Sequence, residues 1–316
     1  MARPLVAGCY QDTDPVYQAS KFNDFSRVDT FDSDLWNNNE RFDPDCSDEL
    51  VLACAVPLDL SGLYEYEWLC NLFGLVAPLQ VVPLETAPAN ALVIVQHPYL
   101  EKTLETLASR TAPFNILHLS DEFCKDPLDF YVHPACKRVI RNYHREVSAA
   151  VAQKVTTIPL GYHWTVQSKS VPKLPFRAHT WSFAGTDWRG REALRTLPPD
   201  RSVLRLFPKW QDPANLGREE YLALLLDSVF APCPAGNNAE TFRIYEALEC
   251  GAIPLIIGEF GGPLPLIRLA SWAEAGDCIM HLMANPDKLE LYRDKLLGAW
   301  ATMKGDLQKS IRNTLT

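Results

Sequence analysis

The stretch that decides the fold is Pro232-Cys233-Pro234-Ala235-Gly236-Asn237-Asn238-Ala239-Glu240-Thr241-Phe242-Arg243-Ile244-Tyr245-Glu246-Ala247-Leu248-Glu249-Cys250-Gly251-Ala252-Ile253-Pro254-Leu255-Ile256-Ile257. It reads as a strand end, a Gly/Asn loop, a helix, a glycine stop and a buried strand. Asn237 or Asn238 is placed to cap the helix, whose first N–H groups need an acceptor. Gly251 suits the left-handed residue after a helix end. Residues 253–257 are short, apolar and β-branched, as a fully buried parallel strand is. A loop that opens a helix at a strand's carboxyl end is a natural anion site. Arg243 lies in the first turns, and Glu246, three residues on, is its neighbour on the helix surface. The plain alternative is an ordinary strand–helix unit with a surface Arg–Glu pair. The agreement of loop, helix and strand chemistry favours a site.

Outward from this segment, apolar runs at 50–56, 79–82, 91–96, 115–119, 138–143 and 155–160 predict strands. Helical patterns at 63–73 and 99–110 fall among them; in the second, Glu101 and Glu105 lie opposite Leu100, Leu104 and Leu107. A second series predicts strands at 180–184, 203–207, 229–232, 253–257 and 278–282. Its helices fall at 190–196, 218–226, 239–250 and 286–298. Alternating strands and helices imply parallel sheets covered on both faces. Residues 5–9 add a short strand, and the acidic, aromatic stretch 11–48 reads as ordered loop and short helix. The expected division is an N-terminal Rossmann-like domain at 1–167, a linker at 168–178 and a C-terminal Rossmann-like domain at 179–297. A terminal helix, 298–316, then packs back on the first domain.

The chain has 316 residues, 47% hydrophobic and 22% charged, as a globular protein has. A net charge of −9 argues against nucleic acid or an anionic membrane as partner. No apolar run approaches the roughly 20 residues of a membrane span. The start, Met1-Ala2-Arg3-Pro4-Leu5-Val6, lacks a signal-peptide core. The expectation is a soluble, cytoplasmic chain, or else a Golgi-lumenal fragment without its anchor. The nine cysteines contain no Cys-x-x-Cys pair and read as buried free thiols, and the seven histidines show no metal-ligand spacing. Asp12-Thr13-Asp14 has the form of an Asp-x-Asp metal motif but is read as loop, so no metal is assigned.

The segment at 232–257 resembles the donor-binding segment of the exostosin-type glycosyltransferases. There a Pro-x-Gly loop leads to Ser/Thr-x-Arg-x-x-Glu-Ala, then Gly, then Ile-Pro and an apolar strand. The matching residues are Pro234, Gly236, Thr241, Arg243, Glu246, Ala247, Gly251, Ile253 and Pro254. Leu117-His118-Leu119-Ser120-Asp121-Glu122, Val139-Ile140-Arg141-Asn142-Tyr143 and Ile158-Pro159-Leu160-Gly161-Tyr162 are similar to the N-terminal half of the same family. The pattern is most similar to the ribitol-xylosyltransferase-like members and to small anchorless enzymes of algal viruses. The resemblance runs from about residue 117 to 257; the first hundred residues carry no aligned motif.

The resemblance implies an α/β enzyme of the GT-B type, two Rossmann-like domains facing across a cleft. It implies an inverting transfer of a sugar, xylose favoured, from a uridine diphosphate sugar to a glycan hydroxyl. The donor residues are then Gly185, Thr186, Arg189, Arg191, Pro234, Gly236, Asn237, Thr241, Arg243 and Glu246. Gly185 lets backbone approach a phosphate, and Arg189 and Arg191 offer charged forks for a diphosphate. Phe207-Pro208-Lys209-Trp210 is a further candidate to meet the nucleobase. Asp121 and Glu122 follow a strand at the carboxyl edge and are candidates for the base that takes the acceptor's proton. One of the two is expected to serve and the other to pair with Arg141. His163, past the Pro-Leu-Gly turn, is the third candidate. No tightly bound cofactor and no divalent ion are expected, since fixed cations and a helix N-terminus stabilise the leaving diphosphate. The partners are a nucleotide sugar and a glycan acceptor; the oligomeric state is open. The alternatives are a non-catalytic exostosin-like partner protein, or another sugar-nucleotide enzyme such as an epimerase or hydrolase. No Gly-x-Gly-x-x-Gly follows the first strand, which argues against a nicotinamide cofactor.

Overall fold

The computed structural model describes residues 51–54, 63–73, 80–166, 171–259 and 264–315. The strand expected at 5–9, the aromatic stretch 11–48 and Asp12-Thr13-Asp14 lie outside them. Among the described residues the N-terminal half holds β1 (Val51–Cys54), α1 (Tyr66–Phe73), β2 (Gln80–Pro83), β3 (Ala91–Gln96), α2 (Leu100–Ala108), β4 (Phe114–Leu119), β5 (Cys136–Arg141), α3 (Ala149–Ala152) and β6 (Val155–Thr157). The C-terminal half holds β7 (His179–Thr186), β8 (Ser202–Phe207), α4 (Arg218–Leu226), β9 (Ser228–Pro232), α5 (Phe242–Glu249), β10 (Ile253–Ile257), β11 (Arg268–Leu269), α6 (Trp272–Met283) and α7 (Pro286–Leu315).

The first sheet has the order β2-β1-β3-β4-β5-β6 and the second β11-β10-β9-β7-β8, and every pairing is parallel. The strand period of two divides the first sheet's side chains between two cores. Leu52, Leu92, Ile94, Leu117 and Leu119 join a core that continues into the second half. Ala53, Val93, Val95 and Ile116 pack a separate core on the other face, under α2 residue Leu107.

Gly251 has φ +65°, and the Ala252 N–H bonds back to the Ala247 carbonyl at 2.8 Å, closing α5 as the sequence predicts. A Cβ there would meet Val171 at 2.4 Å and the Arg293 and Arg177 guanidiniums within 2.9 Å. Arg177, at the end of the expected linker, is only 1% exposed and caps carbonyls of Ser228 (2.5 Å) and Cys250 (2.8 Å). The described part of that segment is thus packed into the C-terminal half.

Three expectations are corrected. Residues 278–282 are not a strand but the end of α6. Ala275, Cys278, Ile279 and Leu282 are buried at helical spacing while Met280 is 55% exposed, and Ser271 Oγ accepts the Glu274 N–H at 3.2 Å. Gly298 does not end a helix: α7 runs unbroken through it. A mid-helix glycine costs about 1 kcal/mol, and buried Leu296, Leu297, Trp300 and Ile311 outweigh it. Asn237 and Asn238 do not cap α5; its first turn follows Thr241, and Asn238 Oδ1 instead accepts the Glu240 N–H at 3.0 Å.

α7 joins the two halves. Trp300 stacks on Trp68 of α1 at 5.5 Å, and Gln308 donates to the Asn71 carbonyl at 2.8 Å. Lys304 Nζ and Trp300 Nε1 both reach Glu249 Oε1 of α5 at 2.6 Å.

Candidate functional site

In the second sheet the strand order reverses between β7 and β9, which pair side by side. Ligands of open α/β sheets bind at the carboxyl ends of the strands at such a reversal. Gly185 and Thr186 end β7, the loop 233–241 leaves β9, and α5 begins at Phe242. The donor residues named from sequence therefore share one strand-end crevice, although they lie in two segments of the chain.

Three arginines converge on it. Arg243 lies over the Phe183 ring at 4.4 Å and the Tyr221 ring at 5.0 Å, and donates to the Ala184 carbonyl. Arg191 donates to the Thr186 carbonyl at 3.0 Å and the Ala235 carbonyl at 3.2 Å, and Arg189 to the Gly236 carbonyl at 3.2 Å. These bonds tie the β7 loop to the β9 loop. Among the described residues, none of the three guanidiniums forms an ion pair with a carboxylate. Among the described residues, Arg243 Nη1, Arg191 Nε and Thr241 Oγ1 are buried without a hydrogen-bond partner. Burial first, and then the like charge of Arg243, lowers the Arg191 guanidinium to about 10. Like charges held together with donors unspent are what an anion would relieve. Gly185 belongs here because a Cβ would sit 3.0 Å from the Phe183 ring and 3.6 Å from Arg243 Nη2. Pro234 is buried behind the loop, and Gly236 N–H closes its turn on the Asn238 carbonyl at 3.0 Å.

Glu246 is not the surface neighbour of Arg243 that its spacing suggests. It is 4% exposed and accepts the Tyr221 hydroxyl at 2.5 Å and the Trp164 N–H, from the other half, at 3.4 Å. Burial raises its carboxyl above the usual range against these bonds. Glu240 likewise bridges the halves, taking the Leu160 N–H at 2.8 Å and the Tyr245 hydroxyl. Facing α5, the helix start is thus fastened to the Pro-Leu-Gly turn of the N-terminal half.

Of the expected bases, Asp121 is the one that pairs with Arg141. Its side chain is buried, and Oδ2 meets Arg141 at 2.9 Å and Arg145 at 3.3 Å. Its Oδ1 takes the N–H groups of Lys125 (2.8 Å) and Asp126 (3.1 Å). Burial works against its charge, but the Asp126 N–H, Arg141 and the Lys125 N–H outweigh it and hold the carboxyl below its usual range. Among the described residues these four contacts engage both carboxylate oxygens and hold the loop that follows β4. Glu122 does face the donor loop: Oε2 accepts Asn237 Nδ2 and its carbonyl accepts Asn238 Nδ2, both at 2.9 Å. His163 Nδ1 lies 2.8 Å from the Tyr64 carbonyl, in a group of rings with Tyr64, Trp164 and Phe242.

Glu65 has no counterpart in the sequence reading. It is 2% exposed; Oε1 accepts Asn142 Nδ2 at 3.0 Å and Oε2 has no partner. Asn142 Oδ1 in turn takes the Ser120 N–H at 3.2 Å, which fixes the amide's orientation. Burial raises the Glu65 carboxyl to about 7, with a further push from Glu122. The run Tyr64-Glu65-Tyr66-Glu67 alternates polar and aromatic residues and gives no sign of which carboxylate turns inward.

Among the described residues, His118, Asp121 and Asp126 bring ligand atoms within 4.8 Å of one another. Their electrons are already engaged: His118 Nε2 meets Asp126 Oδ2 at 3.0 Å, His118 Nδ1 meets the Tyr131 hydroxyl at 2.7 Å, and two arginines hold Asp121. The donor set is a hydrogen-bonded brace beneath the site. No helix among the described residues is long and apolar enough to cross a membrane.

Residues 199–261 match the family model of the RXYLT1 C-terminal domain. That span holds α4, β9, α5 and β10, including Arg243 and Glu246. Exostosin-1a of Danio rerio is 25% identical over 115 residues, 33% of this chain and 16% of that protein, so the match spans less than a fifth of the relative's length. The fold is similar to that of phage T4 BGT solved with its UDP-glucose substrate, with TM-score 0.52 and 11% identity over 84% of this chain and 99% of that one. The same phage enzyme with UDP and Mn2+ aligns with TM-score 0.49 at 11% identity over the same shares of the two chains.

Proposed function

We propose that this chain, an exostosin-type, RXYLT1-like glycosyltransferase sequence on a GT-B fold, transfers a sugar from a uridine diphosphate sugar to a hydroxyl of a glycan. The observation that carries the reading is the reversal of strand order at β7 and β9. There, among the described residues, three arginines lack carboxylate partners and Arg243 Nη1, Arg191 Nε and Thr241 Oγ1 lack hydrogen-bond partners. A diphosphate supplies the missing charge and acceptors together.

In this reading the diphosphate lies across the ends of β7 and β9, against Gly185, Thr186 and the loop at Gly236. Arg243, with Arg191 and the N-terminus of α5, takes up the charge that builds on the leaving oxygen. The transfer is a single displacement with inversion. The acceptor oxygen bonds to the anomeric carbon as the bond to the β-phosphate oxygen breaks and its electron pair leaves with the nucleotide. A base on the N-terminal wall removes the acceptor's proton. Glu246, locked by Tyr221 and Trp164, orients Arg243's surroundings and receives a ribose hydroxyl only if that lock opens. The reading requires no divalent ion, and xylose is the favoured sugar.

A thermal-shift screen tests it. A ligand at 100 times its Kd adds about 2.7 kcal/mol of stability. UDP and one UDP-sugar are expected to raise the melting temperature, and GDP and CMP to leave it unchanged. Stabilisation by another nucleotide with none by UDP contradicts the reading.

A further inference from the structure

The cleft wall opposite α5 carries a residue whose hydrogen bonding suits it to one task. The turn before it is fixed by Gly161, at φ +72°, where a Cβ would lie 2.2 Å from the Trp68 indole. Trp68 Nε1 also donates to the Pro159 carbonyl at 3.1 Å. The turn is pressed onto α1, and this sets His163 against Tyr64, two residues before that helix. His163 Nδ1 is 2.8 Å from the Tyr64 carbonyl oxygen. A carbonyl only accepts, so Nδ1 carries the hydrogen and Nε2 of the neutral ring presents its lone pair. Nε2 has no hydrogen-bond partner among the described residues.

The ring is also in the right place. Its centroid lies 6.1 Å from that of Phe242, which stands in the chain between Thr241 and Arg243, each with a buried polar atom unpartnered among the described residues. Tyr64 meets it edge-on at 5.0 Å, and Trp164 lies against it at 4.6 Å with the planes 30° apart. On the outer side Tyr64, 37% exposed, meets Trp210, 69% exposed, with ring centroids 6.3 Å apart. Gln211 Nε2 donates to the Tyr64 hydroxyl at 3.2 Å and holds that pair together across the halves. Two exposed aromatic side chains, packed edge to face at an interplanar angle of 76°, thus stand beside an imidazole nitrogen with no hydrogen-bond partner among the described residues. One residue on, the Trp164 N–H reaches Glu246 Oε1 at 3.4 Å and ties this segment to α5.

We propose that His163 is the base of the transfer and that Tyr64 and Trp210 form the acceptor-sugar subsite. The proposal rests on the glycosyltransferase reading given above. The acceptor's O–H proton passes to His163 Nε2, and the freed oxygen pair forms the bond to the anomeric carbon. The C–O bond to the β-phosphate breaks, and its pair departs with UDP. The imidazolium then returns its proton to water. The sugar's C–H face lies on the exposed Trp210 ring, with Tyr64 beside it, while its polar edge reaches the imidazole. This places Trp210 with the acceptor and not with the nucleobase.

The test uses the full chain with UDP-xylose and methyl glycosides of xylose, galactose and glucose. UDP release is followed, with release to water as the readout if no glycoside is taken. His163→Gln is expected to bind UDP within twofold of wild type and to lower kcat by about 10²- to 10⁴-fold. Added imidazole is expected to restore part of the activity of His163→Ala, which a merely structural histidine would not allow. Trp210→Ala is expected to raise the glycoside KM several-fold with the UDP Kd unchanged. Wild-type kcat in His163→Gln, or no imidazole rescue together with lost UDP binding in His163→Ala, overturns the base assignment. An unchanged glycoside KM in Trp210→Ala overturns the subsite. Failure of wild type to bind UDP overturns the glycosyltransferase reading itself and is seen separately in the binding arm.

Discussion

Replacing Glu65 with Gln should stabilise the protein, and only above a definite pH. The carboxyl is 2% exposed, accepts Asn142 Nδ2, and is raised from its ordinary 4.5 to about 7. Burial is the largest cause, and the bonds from its own backbone N–H and from Asn142 do not offset it. The fold therefore favours the neutral acid. The stability tied to that form is fully present below about 4.5 and is lost as pH rises to about 7, because the carboxyl ionises in the unfolded chain first. A shift of that size, at 1.36 kcal/mol per pH unit, corresponds to about 3 kcal/mol in order of magnitude. Glutamine keeps the shape and an oxygen for Asn142 Nδ2, and it carries no charge to ionise. Urea unfolding of both proteins from pH 4 to pH 8 should give equal stabilities at the acid end. At pH 8 the variant should lead by up to about 3 kcal/mol. A difference that does not change with pH, or a wild type that is more stable at pH 8, refutes the reasoning.

Arg243→Ala should cut turnover by about 10²- to 10³-fold, the scale seen when one charge-stabilising donor is lost. It should also cost some stability, because the side chain lies between Phe183 and Tyr221; Arg243→Lys, which restores the charge without the fork, should recover only part of the activity. Near-wild-type turnover of Arg243→Ala, measured as UDP release, removes it from the leaving-group role. Glu122→Ala should free Asn237 from the N-terminal wall and weaken UDP binding by a few-fold, since an exposed bond of this kind is worth about 1 kcal/mol; unchanged calorimetric affinity shows that the tie does not hold the loop. Turnover should persist in EDTA, and complete loss with recovery on adding manganese contradicts the ion-free mechanism.

Much of the architecture was legible because buried parallel strands leave a plain trace. Ala91–Gln96 and Ile253–Ile257 are continuous apolar runs, and Gly251 marks a helix end by needing positive φ. The placing of Gly185, Thr241 and Arg243 at strand and helix ends was legible too. Residues 278–282 misled because a short apolar run is common to strands and buried helices. The arbiter was the Ser271–Glu274 spacing at the helix start. Contacts between residues distant in sequence were not legible. Whether Glu246 meets a ligand or Tyr221 and Trp164, and whether Asp121 faces the cleft or two arginines, depends on residues far away in sequence. Glu65 was missed for the same reason: its partner Asn142 is 77 positions away.

The central claim is that a uridine nucleotide binds where β7 and β9 part, against Arg243 and Thr241. The most direct measurement is a crystal structure of the chain soaked with UDP. The account predicts diphosphate oxygens within hydrogen-bond distance of Arg243 Nη1, Arg191 Nε and Thr241 Oγ1, three atoms of that region without hydrogen-bond partners among the described residues. UDP bound at the carboxyl edge of the first sheet, with those three atoms untouched, contradicts it.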